Sequence, residues 1–105
     1  MNATPVTVTV RDVEIANDKP FVLIAGPCQI ESRDHALMIA DAIATACAAS
    51  GVRFIYKSSF DKANRSSVST ARGIGIDEGL RILQDVGIAF SCPTLTDVHV
   101  AEQCK

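Results

Sequence analysis

Apolar and polar residues alternate from Val6 to Val10 and again from Val13 to Ile15, on either side of Arg11-Asp12. This two-residue period, interrupted by a short polar turn, predicts a small β-hairpin. Val6, Val8 and Val10 share one face of it, an apolar face that must cover something. Asn17-Asp18-Lys19-Pro20 reads as a turn, with Pro20 restricting the residue before it. Phe21 to Ala25 is a continuous apolar run, the pattern of a strand buried on both faces. Gly26-Pro27 ends it.

The period then changes to that of a helix. Ser32 is placed to cap it, and Asp34 lies in its first turn, where the helix dipole favours an acidic group. Ala36, Ile39, Ala40, Ile43 and Cys47 form one core-facing stripe, and Gly51 suits the left-handed closing position. Val52 to Tyr56, rich in β-branched and aromatic residues, predicts a second strand. A polar stretch follows from Lys57 to Gly75. Asp77 is expected to cap a second helix in which Leu80, Leu83, Val86 and Phe90 share a face. Gly87 weakens that helix by about 1 kcal/mol relative to Ala. Thr94-Leu95-Thr96 predicts a third short strand, and Val98 to Lys105 the start of another helix.

The order, a hairpin followed by β-α-β-α-β, implies an α/β protein with a parallel sheet and right-handed crossovers. Three parallel strands leave two open sheet edges, so the chain is expected to self-associate or to stay partly molten.

Composition narrows the function classes. The 105 residues carry 10 Lys+Arg against 12 Asp+Glu, a formal net charge of −2, with 48% hydrophobic residues. That balance fits one globular domain with a modest core. It lacks the basic excess of a nucleic-acid-binding protein. Four Phe, one Tyr and no Trp also leave little for a base-stacking platform. No run reaches the roughly 18 apolar residues of a membrane span, and Met1 to Val10 lacks the pattern of a signal peptide. Cys28, Cys47, Cys92 and Cys104 show no metal-ribbon or C-x-x-C spacing, which favours a reducing compartment, the cytoplasm.

In parallel α/β folds the chemistry lies beyond the carboxyl ends of the strands. Here those ends run into Gly26-Pro27-Cys28-Gln29-Ile30-Glu31-Ser32, into Lys57 to Ser67, and into Asp97-Val98-His99. Lys57, Lys62, Arg65 and Arg72 stand against a single Asp61 over residues 57–72, and Ser58, Ser59, Asn64, Ser66 and Ser67 add neutral donors. That mixture suits an anionic small molecule, its phosphate or carboxylate oxygens matched by Arg forks and Lys point charges. The plain alternative is a solvated basic loop that balances residues 1–50, where three basic side chains meet six acidic ones. Cys28 is either a small buried residue or, at a strand end, a metal ligand or nucleophile. Cys47 belongs to the core. Asp97 either caps the final helix or orients or deprotonates a substrate hydroxyl or water, and His99 either lies on the surface or exchanges a proton. His35 is expected to be solvent-exposed.

Those endings resemble the 3-deoxy-D-manno-octulosonate 8-phosphate synthase family. The most specific match is Lys57 to Ser67, KSSFDKANRSS. Gly26-Pro27-Cys28-x-Ile30-Glu31-Ser32 and Thr96-Asp97-Val98-His99 follow the family's order and spacing, and Ala16-Asn17-Asp18 is similar to its bottom-capping segment. The related 3-deoxy-arabino-heptulosonate 7-phosphate synthases carry Lys-Pro-Arg-Thr where this chain has Lys62-Ala63-Asn64-Arg65.

The resemblance implies a TIM (β/α)8 barrel, with residues 1–20 as N-terminal hairpin and turn. Residues 21–105 would be its first three strands, two helices and the start of a third, truncated after the third strand. It implies condensation of phosphoenolpyruvate with D-arabinose 5-phosphate, releasing phosphate, in lipopolysaccharide or cell-wall sugar synthesis. Lys57 and Lys62 would hold anionic groups of phosphoenolpyruvate, with Lys62 and Asp97 at the reacting centre, and Asn64, Arg65 and Ser66 would bind the sugar phosphate. Cys28 resembles the first ligand of the metal-dependent class, implying a divalent metal ion. The family's remaining ligands, a His, a Glu and an Asp, come from later strands, and a whole barrel needs about 250 residues. The 105-residue chain is therefore expected to be inactive by itself, and the full-length enzyme to be a cytoplasmic homo-oligomer. The alternatives are a related phosphoenolpyruvate-condensing aldolase, a non-catalytic sugar-phosphate-binding module, or a purely structural fragment.

Overall fold

The computed structural model describes residues 4–61 and 74–105. Strands β1 (Val8–Val10) and β2 (Val13–Ile15) form the expected hairpin, pairing Val8 with Ile15 and Val10 with Val13. Arg11 opens its turn at φ 55°, the left-handed sense that matches the twist of the flanking strands. Asp12 ties the hairpin to the sheet through Arg53, Nη2 to Oδ2 at 2.9 Å. The hairpin's anchor is Val13, which is buried, whereas Val6 and Val8 are exposed. The apolar face read from Val6, Val8 and Val10 is thus covered only at its Val10 end, where Val10 is half-buried beside Val13, and open at Val6 and Val8.

The second sheet is parallel, in the order β3 (Val22–Ala25), β4 (Arg53–Lys57), β5 (Thr94–Leu95). Val22 to Ala25 pair in turn with Arg53 to Tyr56, while Tyr56 and Lys57 pair with Thr94 and Leu95. Helix α1 (Arg33–Ser50) makes the first crossover and α2 (Ile76–Phe90) the second. They pack on each other, and Arg33 Nε meets Asp85 Oδ2 at 2.9 Å where they meet. The core between helices and sheet is built from Ile30, Ala36, Ala40, Tyr56, Phe60, Ile82, Leu83, Val86 and Cys92. Among the described residues no helix is long and apolar enough to cross a membrane.

Helix α1 follows its sequence signals. Ser32 accepts a hydrogen bond from the His35 amide at 3.0 Å, and Gly51 closes the helix at φ 70°. Helix α2 departs from them. It starts at Ile76 with Gly75 in the capping position, so Asp77 lies inside the first turn and caps nothing. With Glu78 it still favours the helix dipole. The buried face is Gly79, Ile82, Leu83, Val86 and Gly87, and Leu80 is exposed. The glycines rotate the packing face: a Cβ at Gly79 would lie 2.6 Å from the Cβ of Phe60. Counting only large apolar residues hides a contact made by a missing side chain.

Strand β3 is a further correction. It is not buried on both faces, for Leu23 is 38% and Ile24 49% exposed. The physical reason is its place at the edge of the three-stranded sheet among the described residues, where only β4 lies beside it. The final helix also shrinks, to a 3-10 turn at Ala101–Cys104.

Candidate functional site at the strand ends

The carboxyl ends of β3, β4 and β5 are laced together by backbone bonds and one serine hydroxyl. The Ser58 hydroxyl donates to the Pro27 carbonyl at 2.6 Å. Its amide donates to Leu95 O at 3.2 Å, the Ser59 amide to Cys28 O at 3.2 Å, and the Ile30 amide to Ser59 O at 2.9 Å. Gly26 lets the first ending approach the second so closely, since a Cβ there would fall 1.8 Å from the Lys57 carbonyl oxygen. Residues 57–59 are therefore the pivot to which the other two endings are fastened.

This revises the reading of two serines. Ser58 and Ser59 are buried, and their hydroxyls serve the backbone rather than a ligand. Ser59 Oγ donates to Asp61 O and accepts from the Asp61 amide at 3.1 Å. The alternation along the strands could have signalled this for Ser58, which follows exposed Lys57 and so points to the opposite face.

Cys28 is a free, exposed thiol beyond β3, which removes the reading of a small buried core residue. Cys47 and Cys92 are the buried thiols, as expected for Cys47. Lys57 is exposed at the end of β4. Asp97 and His99 approach beyond β5, with Oδ2 and Nε2 at 3.6 Å. The His99 ring also stands edge-on to Phe60, centroids 5.8 Å apart. Asp97 does not cap the last turn: Gln103 Oε1 accepts from the His99 amide at 2.7 Å and the Val100 amide at 3.3 Å.

Burial acts to raise the Asp97 pKa, but it is outweighed. Hydrogen bonding from Ser59 and from its own amide, then the positive charges of His99 and Lys57, hold the carboxylate below its usual range. The help from Ser59 is partial, because that hydroxyl directs its proton to Asp61 O, and the buried Asp97 Oδ1 has no hydrogen-bond partner among the described residues. The arrangement offers an ionised carboxylate beside an imidazole and near an ammonium group. Such a set can orient a hydroxyl or water and accept its proton.

Lys62, Asn64, Arg65 and Ser66 lie outside the described residues. Among the described residues, no three His, Cys, Asp or Glu side chains gather to hold a metal ion. Cys28 alone does not make such a site. His35 is less free than its sequence position suggests: Nε2 lies 3.2 Å from Glu31 Oε2, and Nδ1 is buried. The spacing of Glu31 and His35, four residues apart, is the signal that could have found this pair.

With three parallel strands ending in a laced polar rim, the chain is a parallel α/β protein of the kind that carries chemistry at its strand ends. Residues 3–105 match the DAHP synthetase I family, and the chain belongs to it. It is 56% identical over 97 residues to the 2-dehydro-3-deoxyphosphooctonate aldolase of Rickettsia bellii, covering 92% of this chain and 35% of that protein. The proteins of the same name from Rickettsia felis and Rickettsia canadensis are 55% and 52% identical over the same length. The chain thus spans about a third of the length of the curated relatives it matches.

Proposed function

We propose that this chain supplies the first strand-end wall of a synthase that condenses phosphoenolpyruvate with D-arabinose 5-phosphate. The products would be 3-deoxy-D-manno-octulosonate 8-phosphate and phosphate, and the scaffold the first part of a TIM barrel. The observation that supports this reading is the lacing of Pro27 and Cys28 to Ser58 and Ser59 and of Ser58 to Leu95, with the Asp97-His99 pair beyond β5, in a chain 56% identical over 97 residues to a 2-dehydro-3-deoxyphosphooctonate aldolase.

In the reaction the enol carbon of phosphoenolpyruvate attacks the sugar aldehyde, water adds to the adjacent carbon, and the resulting hemiketal expels phosphate. Lys57 and Lys62 would neutralise the carboxylate and phosphate of phosphoenolpyruvate as charge builds. Asn64, Arg65 and Ser66 would hold the sugar phosphate, the Arg by its two-pronged fork. Asp97, kept ionised, would orient the reacting water or hydroxyl and take its proton. A divalent metal bound through Cys28 would act as a Lewis acid. The described residues do not complete its ligand set, and no step here depends on it. The whole enzyme would be a cytoplasmic homo-oligomer.

The test is a chimaera in which this segment replaces the matching 97 residues of the Rickettsia bellii protein. It should release phosphate from phosphoenolpyruvate with arabinose 5-phosphate and poorly with erythrose 4-phosphate. A preference for erythrose 4-phosphate would favour the heptulosonate reaction. The isolated chain should turn over neither sugar; tight sugar-phosphate binding by it alone would favour a non-catalytic binding module.

A further inference from the structure

We propose that Phe60 is a positioning residue for the Asp97-His99 pair: its ring holds the His99 imidazole with Nε2 turned toward Asp97. The two rings meet edge-on, centroids 5.8 Å and planes 62° apart, an arrangement that aromatic charge distributions favour. Something must hold the imidazole there. The χ2 angle of a histidine is broad and roughly two-fold, and the 3.6 Å between Nε2 and Asp97 Oδ2 is too long for a hydrogen bond to fix the ring. The His99 backbone is pinned separately, its amide donating to Gln103 Oε1 at 2.7 Å. With the main chain fixed, the freedom left to His99 is rotation of its side chain, and the Phe60 ring limits it.

Phe60 can act this way because it is itself held. It is 3% exposed and belongs to the core. Its carbonyl accepts from the Gly75 amide at 3.3 Å, where α2 begins. One turn further on, Gly79 leaves the space that the Phe60 Cβ occupies. The ring therefore connects the first turn of α2 to the pair beyond β5, and β5 packs against both β4 and α2. Ser59, one residue earlier, bears on the Asp97 carboxylate by hydrogen bonding. Two successive residues thus address the two members of the pair, a hydroxyl the carboxylate and a ring the imidazole. An aliphatic residue at position 60 would fill the core but would offer His99 no ring to stand against.

Proton NMR of the histidine rings in the 105-residue chain tests this without any chemistry. The chain has two histidines, so His35→Gln assigns the other. Overhauser contacts between the His99 and Phe60 rings are expected, with an acid inflection in the His99 shifts as Asp97 takes a proton. Phe60→Leu should abolish the ring-current shift of His99 and shrink that inflection. Val86→Ala, a loss from the same core, should leave both in place. If circular dichroism shows Phe60→Leu unfolded, Phe60→Met replaces it. The link to turnover rests on the synthase reading. In the Rickettsia bellii chimaera, Phe60→Leu should lower kcat at least about tenfold with KM for phosphoenolpyruvate within about twofold, and Val86→Ala should not. A chimaera inactive before either substitution would count against the synthase reading, while the ring signals still decide what holds His99. No Overhauser contact in the wild-type chain, or equal changes at His99 in Phe60→Leu and Val86→Ala, would overturn the proposal.

Discussion

The Ser58 hydroxyl donates to the Pro27 carbonyl at 2.6 Å across 31 residues of chain, and this bond holds the ending of β3 against that of β4. Ser58 is 1% exposed, so removing its donor leaves a carbonyl that water reaches poorly. Ser58→Ala should lose about 1–2 kcal/mol by urea denaturation. It should also free the loop bearing Cys28. In a Cys104→Ala background, where Cys47 and Cys92 stay buried, the thiol-labelling rate of Cys28 should rise. An unchanged rate with unchanged stability would show that the bond does not position this loop.

Gly26 and Gly51 separate two reasons for glycine. A Cβ at Gly26 would lie 1.8 Å from Lys57 O, a backbone atom with no room to withdraw, whereas one at Gly51 meets nothing within 4 Å. Gly26→Ala should therefore part β3 from β4 and cost at least about 3 kcal/mol. Gly51→Ala should cost only the left-handed strain at φ 70°, about 1–2 kcal/mol. Urea melts of the two variants check the order, and equal losses would contradict it.

The elements of the fold are legible wherever a residue's neighbours in sequence are also its partners. Ser32, Gly51 and the alternation around Arg11-Asp12 act locally, and each works as its position suggests. Errors fall where a partner is distant. Asp77 loses its capping role because the helix begins one residue before it, and Leu80 is displaced from the buried face because Gly79 fits against Phe60. Exposure of Leu23 and Ile24 depends on what stands beside β3, which an apolar run alone does not state. At the strand ends, residue types marked Cys28, Lys57, Asp97 and His99. The backbone roles of Ser58 and Ser59 emerge only when three separate endings meet.

Asp97 predicts acid sensitivity of a definite sign. Its folded pKa is lowered, with burial opposed by Ser59, its own amide, His99 and Lys57. The stabilisation is thus present above the unfolded value of about 3.9 and lost as pH falls through the lower folded value. Its side chain is 42% exposed, so solvent keeps the effect small. Wild type should exceed Asp97→Asn in stability near neutrality, and the two should converge in strong acid. Parallel curves at all pH values would remove the electrostatic account of this site.

Tyr56 gives the matching test on the alkaline side. Burial, then the neighbouring Cys92, raises its pKa, and burial likewise raises that of Cys92. For both groups the folded state favours the protonated form. Their stabilisation is present below the unfolded values, about 8.5 for a thiol and 10 for a phenol, and is lost as pH rises through the higher folded values. Tyr56 is the one tyrosine in the chain, so tyrosinate absorbance reports it alone. Native chain should titrate later than urea-unfolded chain. The buried hydroxyl also has no hydrogen-bond partner among the described residues, so Tyr56→Phe orphans nothing. That variant should match or exceed wild type by up to about 1 kcal/mol at neutral pH and resist alkali better. A loss above about 2 kcal/mol would mean that the hydroxyl has a partner after all.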